Sequence, residues 1–174
     1  EGFLYPFVDR ESCIDCGLCE RVCPVINQNE PQKPVVTLAA VNSDESVRLA
    51  SSSGGICTLL AERTIDNGGV VFGAAFDENW DVKHICIDSK SELLKLRGSK
   101  YVQSTIGNCY KEAKTHLSAG KEVLFSGTPC QIAGLKKFLR KDYMNLKTMD
   151  VVCHGTPSPL VWRKYLETKT KAQC

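Results

Sequence analysis

The sequence predicts a mixed-sheet α/β domain preceded by a small cysteine-rich segment. Three observations predict it. From Val36 onward, short apolar runs alternate with amphipathic stretches of helical length, the pattern of strands and helices taken in turn. Four of the ten cysteines crowd into residues 13–23. Between these two regions, residues 27–35 are polar and carry Pro31 and Pro34, the composition of a linker. The chain therefore divides into a cysteine segment at 1–26, a linker at 27–35 and an α/β domain at 36–174.

The elements of that domain follow in order. Residues 36–41 (VTLAAV) read as a strand. Residues 56–66 (ICTLLAERTID) read as a helix, with Gly68 and Gly69 as its stop. Two strands, 70–76 (VVFGAAF) and 82–87 (VKHICI), flank the polar turn 77–81. A short helix is expected around 91–96 and a longer one over 106–117, with Gly120 beyond it. The run 122–125 (EVLF) is a buried strand. A helix over 129–139 has Thr128 as its N-cap and Pro129 in its first turn. A strand over 146–152 and a helix over 159–168 complete the list.

Composition excludes several classes. Twenty-two basic residues against 20 acidic ones leave a formal net charge of +2, which gives no support to nucleic-acid binding. No apolar run approaches the roughly 18 residues needed to span a membrane, and no signal-peptide pattern opens the chain. Six cysteines (Cys57, Cys86, Cys109, Cys130, Cys153 and Cys174) are scattered, unlike a disulfide scaffold. Cys57 and Cys86 sit in apolar runs and read as small buried hydrophobes. A reducing, cytoplasmic compartment suits this usage.

The cysteine segment carries the most specific signal. Cys13, Cys16, Cys19 and Cys23, with Pro24 next, give C-x2-C-x2-C-x3-C-P, the bacterial ferredoxin spacing for thiolates around a 4Fe-4S cluster. Three thiolates two residues apart let one tight loop wrap a cube of iron and sulfide, and Gly17 supplies the backbone freedom for that wrap. The rival metal is zinc, whose sites usually pair two short clusters across a dozen or more residues. In two-cluster ferredoxins the fourth cysteine of each run serves the other cluster. This chain holds one run and opens on Glu1-Gly2-Phe3 without Met. The expectation is half of a two-cluster domain, within a fragment whose partner run lies upstream.

Three further constellations carry chemistry. Ser51-Ser52-Ser53-Gly54-Gly55 precedes a helix, so its backbone N–H groups suit a phosphate, or form a plain serine-capped loop. Arg97-Gly98-Ser99-Lys100-Tyr101 offers a cation, a hydroxyl and an aromatic ring, suited to a planar phosphate-bearing cofactor or to a solvated turn. Gly127-Thr128-Pro129-Cys130-Gln131 places Cys130 in a first helical turn, as a cluster ligand, a reactive thiol or a quiet capped loop. Cys153-His154-Gly155 repeats the layout of a cysteine behind a strand, so Cys130 and Cys153 can face one crevice. His84 and His116 are isolated and read as structural or surface residues.

Together these motifs resemble the beta subunit family of coenzyme F420 hydrogenases and dehydrogenases, whose members are iron–sulfur flavoproteins. The Gly-Thr-Pro-Cys-Gln block is the most specific match. The resemblance implies 4Fe-4S clusters and FAD as cofactors, with electrons passing between clusters and a two-electron carrier. It makes Cys130 and Cys153 ligands of a further cluster, beside Cys13, Cys16, Cys19 and Cys23. It makes Ser52, Ser53, Gly54, Gly55, Ser99, Lys100, Tyr101 and Thr128 candidate flavin contacts. It implies a redox partner protein or small two-electron carrier, and a parent chain longer at both ends, with residues 36–174 as the family's N-terminal domain. The other class of function open to this sequence is a non-catalytic electron-carrier module, and a third is a zinc-stabilised interaction domain.

Overall fold

A computed structural model describes residues 2, 3, 5–28, 30 and 33–171, the last two by backbone alone. Glu1, Leu4, the linker residues Asn29, Pro31 and Gln32, and residues 172–174 with Cys174 lie outside the described residues. Four strands form one mixed sheet: β1 Val70–Phe76, β2 Val82–Ile87, β3 Val123–Gly127 and β4 Leu146–Asp150, in the order β2-β1-β3-β4. β2 runs antiparallel to β1, whereas β1, β3 and β4 are mutually parallel.

The apolar runs of β1 and β3 are continuous because both faces of the sheet are covered. On one face, Val70, Phe72, Val123 and Phe125 pack against α5 (Cys109–Ser118) and α6 (Pro129–Leu139) through Ala113, Leu117, Ile132 and Leu135. On the other, Val71, Ile87 and Leu124 meet Ala61 of α3 (Ile56–Asp66) and Leu93 of α4 (Leu93–Leu96). Phe72 and Phe125, both fully buried, stack with ring centroids 5.2 Å apart. Burying each such ring stabilises the fold by about 1.5–3 kcal/mol.

α6 begins and ends where its sequence signals say. Thr128 is extended, Pro129 takes the first helical position, and Gln131 Oε1 accepts the Thr128 N–H at 3.0 Å. The helix stops after Leu139, where Arg140 turns to φ 57°. The polar turn at 77–81 forms as expected, with Asp77 Oδ1 accepting the N–H groups of Asn79 and Asp81 at 2.9 and 3.0 Å. α7 (Pro159–Lys171) then docks on this hairpin. Trp162 Nε1 donates to the Trp80 carbonyl at 2.7 Å, and Arg163 pairs with Asp81.

Several expected elements differ. Residues 36–41 are not a strand: Val36, Leu38 and Val41 are exposed and the segment joins no ladder. An alternating pattern makes a strand only where a neighbour offers its edge. Here the chain instead runs beside the 51–55 loop, with the Asn42 N–H donating to the Gly54 carbonyl at 2.6 Å. The helix expected from 106 begins at Cys109, because Thr105 is drawn alongside β2 by its bridge to Lys83. The short helix at 91–96 is a 3-10 turn, Lys90–Glu92, followed by α4. β4 ends at Asp150, two residues early. Cys57 is exposed rather than buried. Two short helices, α1 (Leu18–Arg21) and α2 (Glu45–Leu49), went unforeseen.

Candidate cofactor sites

The cysteine segment is nearly all surface. Cys13, Cys16 and Cys19 are exposed and Cys23 is half-buried. The chain turns sharply through Asp15 at φ 52° and Gly17 at φ 64°, so that the Asp15 N–H points back at Cys13 Sγ, 3.4 Å away. Gly17 then opens α1, which carries Cys19. N–H donors of this kind stabilise negative charge on sulfur and tune a cluster's potential. Among the described residues, no three His, Cys, Asp or Glu side chains converge to hold one metal ion. A 4Fe-4S cluster takes each thiolate on a separate iron, and exposed thiols two residues apart in one loop, with Cys23 directed to a second cluster, suit that chemistry.

Cys130 and Cys153 follow the carboxyl ends of adjacent parallel strands. Gly127 of β3 pairs with Asp150 of β4, and Cys130 and Cys153 each lie three residues further on. Both are exposed on that edge, where open α/β sheets place their ligands. Cys153 repeats the turn seen at Cys13, with the Gly155 N–H aimed at Cys153 Sγ at 3.4 Å and Gly155 at φ 107°. Cys130 has a hydroxyl instead, Thr128 Oγ1 at 3.1 Å. The N-terminal segment adjoins this edge, since a Cβ on Gly2 would strike Leu160 and Ser158 at the head of α7.

The two expected flavin loops come together at the amino end of α3. Gly54 passes so close to the Ala40 carbonyl that a Cβ would lie 2.7 Å from it, and Gly55 sits at φ 74°. Gly55 is the N-cap of α3 and no side chain caps the helix there. The loop is held from behind by buried Asn42, whose Nδ2 donates to the Gly55 carbonyl at 3.3 Å. Lys100 lies within electrostatic reach of Cys57 in the first turn of α3, and Arg97 within reach of Asp44 just ahead of α2. Lys100 Nζ donates to the Arg97 and Lys95 carbonyls at 2.8 and 3.2 Å, and burial lowers its pKa. Protein crowded around the Cys57 thiol pushes its pKa up, with the Lys100 ammonium opposing. Arg97 Nε is buried without a hydrogen-bond partner. Uncapped helix N–H groups, an ammonium and an unsatisfied guanidinium N–H are each of the chemistry that binds anions.

The other expected contacts are placed less tightly. Ser52, Ser53 and Ser99 are exposed, and Tyr101 presents its ring to solvent. Thr128 is tied to its own turn just beyond the carboxyl end of β3. Beneath that turn lies His84, which the sequence left as structural or surface without naming a partner. His84 is buried, stacked on Phe125 at 5.4 Å, and hydrogen-bonded to Ser104 and to the Ser126 carbonyl. Burial lowers its pKa. A lone histidine in an alternating strand carries no local mark of this role, because its partners lie 20 and 42 residues away.

Comparison with known proteins decides the family. Residues 37–109 match the N-terminal model, and residues 120–173 the C-terminal model, of the coenzyme F420 hydrogenase/dehydrogenase beta subunit. The chain belongs to this family. Residues 4–25 match a 4Fe-4S binding domain. A coenzyme F420-dependent sulfite reductase of Methanocaldococcus jannaschii is 28% identical over 94% of this chain and 27% of its own length. The coenzyme F420 hydrogenase subunit beta of Methanosarcina barkeri is 28% identical over 60% of this chain and 37% of its own. The chain thus spans well under half of these relatives. A chain of the F420-reducing [NiFe] hydrogenase complex from Methanosarcina barkeri shares the fold, with a TM-score of 0.59 at 22% identity over 73% of this chain and 47% of that one. The two beta-subunit matches divide the stretch that the sequence reading assigned to one N-terminal domain. The sheet nevertheless draws β1 and β2 from the first and β3 and β4 from the second. No helix among the described residues is long and apolar enough to cross a membrane.

Proposed function

We propose that this chain is the cluster- and flavin-binding part of an oxidoreductase that passes electrons between 4Fe-4S clusters and a two-electron carrier. The observation that carries the flavin half is the Ser52–Gly55 loop at the open end of α3, with the Lys100 ammonium within electrostatic reach of that helix's first turn. In this reading the α3 N–H groups, Lys100 and Arg97 bind the FAD diphosphate, and Ser99 and Tyr101 flank the rest. Gly54 and Gly55 keep the backbone clear of side chains so that the phosphates can approach. Cys13, Cys16, Cys19 and Cys23 hold the ferredoxin-type clusters, and Cys130 and Cys153 contribute to a further one. Flavin, when bound, exchanges electron pairs with a hydride carrier and single electrons with clusters. The protein's part is to bind, orient and tune.

The relatives' names point to coenzyme F420 for those proteins; for this chain the carrier is proposed as a class, a deazaflavin or another hydride donor or acceptor, with a redox protein on the cluster side. A reducing, cytoplasmic setting suits the nine free cysteines among the described residues. Anaerobic reconstitution of the full-length protein, followed by iron, sulfide and flavin analysis, tests the assignment. Stoichiometric flavin with iron and sulfide is expected. Clusters without flavin would replace it with an electron-carrier module, and zinc without sulfide would remove both.

A further inference from the structure

The imidazole of His84 lies under the Cys130 turn and is joined to it by a chain of hydrogen bonds with only one consistent direction. The Thr128 N–H can only donate, so the Gln131 atom 3.0 Å away is its amide oxygen. The Gln131 amide nitrogen therefore faces Ser104 and donates to its Oγ at 2.8 Å. The Ser126 carbonyl can only accept, so His84 Nε2 carries the proton and donates across 3.0 Å. His84 Nδ1 is then an acceptor, and the Ser104 hydroxyl donates to it at 2.9 Å. Backbone at both ends fixes the polarity of every group between.

The geometry explains why an imidazole is needed here. Pairing between β1 and β3 ends at Phe72 and Phe125, and the Ser126 carbonyl lies just beyond it. His84 sits opposite Ala74 in the β1–β2 register, so only a small side chain separates it from β3. Its ring extends the stack of Phe72 and Phe125 and supplies the donor that the ladder no longer does. From the other side, Tyr110 Oη donates to the Gln131 carbonyl at 2.7 Å, and a Cβ on Gly134 would lie 3.0 Å from Tyr110 Oη. The first turn of α6 is thus held on both flanks.

We propose that His84, acting through Ser104 and Gln131, is the positioning residue for Cys130: it fixes the Thr128–Gln131 turn so that the Thr128 hydroxyl faces Cys130 Sγ. The consequence for redox chemistry rests on the reading of Cys130 as a cluster ligand; the positioning itself does not. A hydroxyl donating to a ligating sulfur favours the more negative, reduced cluster, so a loosened turn lowers that cluster's potential.

The test uses the full-length protein with His84→Phe, which keeps a ring on Phe125 but loses both polar contacts, and His84→Gln, which retains a donor and an acceptor. Amide exchange at Thr128 should accelerate at least tenfold in His84→Phe, with the amides of Phe72 and Leu124 unchanged, and His84→Gln should restore part of the protection. In a redox titration followed by EPR, the signal lost in Cys130→Ser should shift downward in His84→Phe by about a tenfold change in the reduced-to-oxidised ratio, equivalent to ~59 mV for one electron. Native exchange at Thr128 together with native midpoints would overturn the proposal. If Cys130→Ser abolishes no signal, the ligand reading falls and amide exchange alone decides the positioning. Should His84→Phe fail to fold, Ser104→Ala cuts the same chain outside the core, and the same two outcomes apply to it.

Discussion

The cysteine segment and the sheet domain reach order by opposite routes. Residues 5–28 bury almost nothing: Tyr5, Phe7, Ile14, Val25 and Ile26 are exposed, and the single helix there spans four residues. The sheet, by contrast, closes both faces over Phe72, Phe125, Leu124 and Leu135, each almost wholly buried. A segment so small cannot offset its conformational entropy by apolar burial, so its stability falls to whatever its four thiols bind. The domain needs no such help. Iron should therefore decide whether the first region orders at all, and only add to the stability of a second region whose core forms without it.

The largest expected effect breaks the domain alone. Phe125→Ala removes the ring that stacks on Phe72 and His84 and tilts against Tyr110, and should cost about 3–5 kcal/mol in denaturant unfolding. Cluster absorbance of the cysteine segment should outlast the loss of the sheet's far-ultraviolet signal. Simultaneous loss of both signals would show that the two regions fold as one. The converse experiment is Cys16→Ser with iron still supplied. Amide protection and protease resistance over residues 5–28 should vanish, while the denaturant midpoint of the sheet stays at its native value. A shifted midpoint would mean that the contact of Gly2 with the head of α7 couples them.

The same contrast decides what could be read from sequence. β1, β3 and α6 were legible because their signals are local: continuous apolar runs, and a Thr128-Pro129 start. The 4Fe-4S segment was legible for the same reason, four thiols at fixed spacing. Residues 36–41 misled because alternation states what a strand would look like and not whether a partner edge exists. The start of α5 moved because Thr105 answers to β2, about twenty residues earlier in the chain. His84 could be read only as structural or surface, on similar grounds, since its meaning comes from Ser104 and Ser126 and not from its neighbours in β2. The flavin loops stood between these cases. Each was visible alone, but their meeting at α3 is a tertiary fact.

A smaller effect should appear at that meeting point. Lys100→Met removes one cation from the proposed diphosphate site and should raise the flavin dissociation constant about tenfold, roughly 1.4 kcal/mol. The loss should shrink as salt is added, because screening weakens the native contact too. Gly55→Val, which forces a branched side chain to φ 74°, should lower bound flavin further. Native flavin content in both variants would move the flavin away from α3.

The smallest effect concerns the rim of the sheet domain, where charge and not burial joins elements. Glu122, just ahead of β3, accepts from Lys147 of β4 at 2.6 Å and from Thr64 and Asn67 at the end of α3, each at 3.2 Å. The Lys147 hydrogen bond is the chief reason its carboxyl pKa lies below the ordinary value of 4.5. A carboxylate depressed in the folded state stabilises the fold above its unfolded pKa, and that contribution is lost as pH falls through the folded one. Partly exposed pairs of this kind contribute about 0.2–1 kcal/mol. Lys147→Met should therefore lower the unfolding free energy by that amount at pH 7, and the gap to the native protein should narrow as pH falls below about 4.5. A gap that stays constant from pH 7 to pH 3 would assign the loss to packing of the lysine stem and leave Glu122 no electrostatic role in holding α3 to β4.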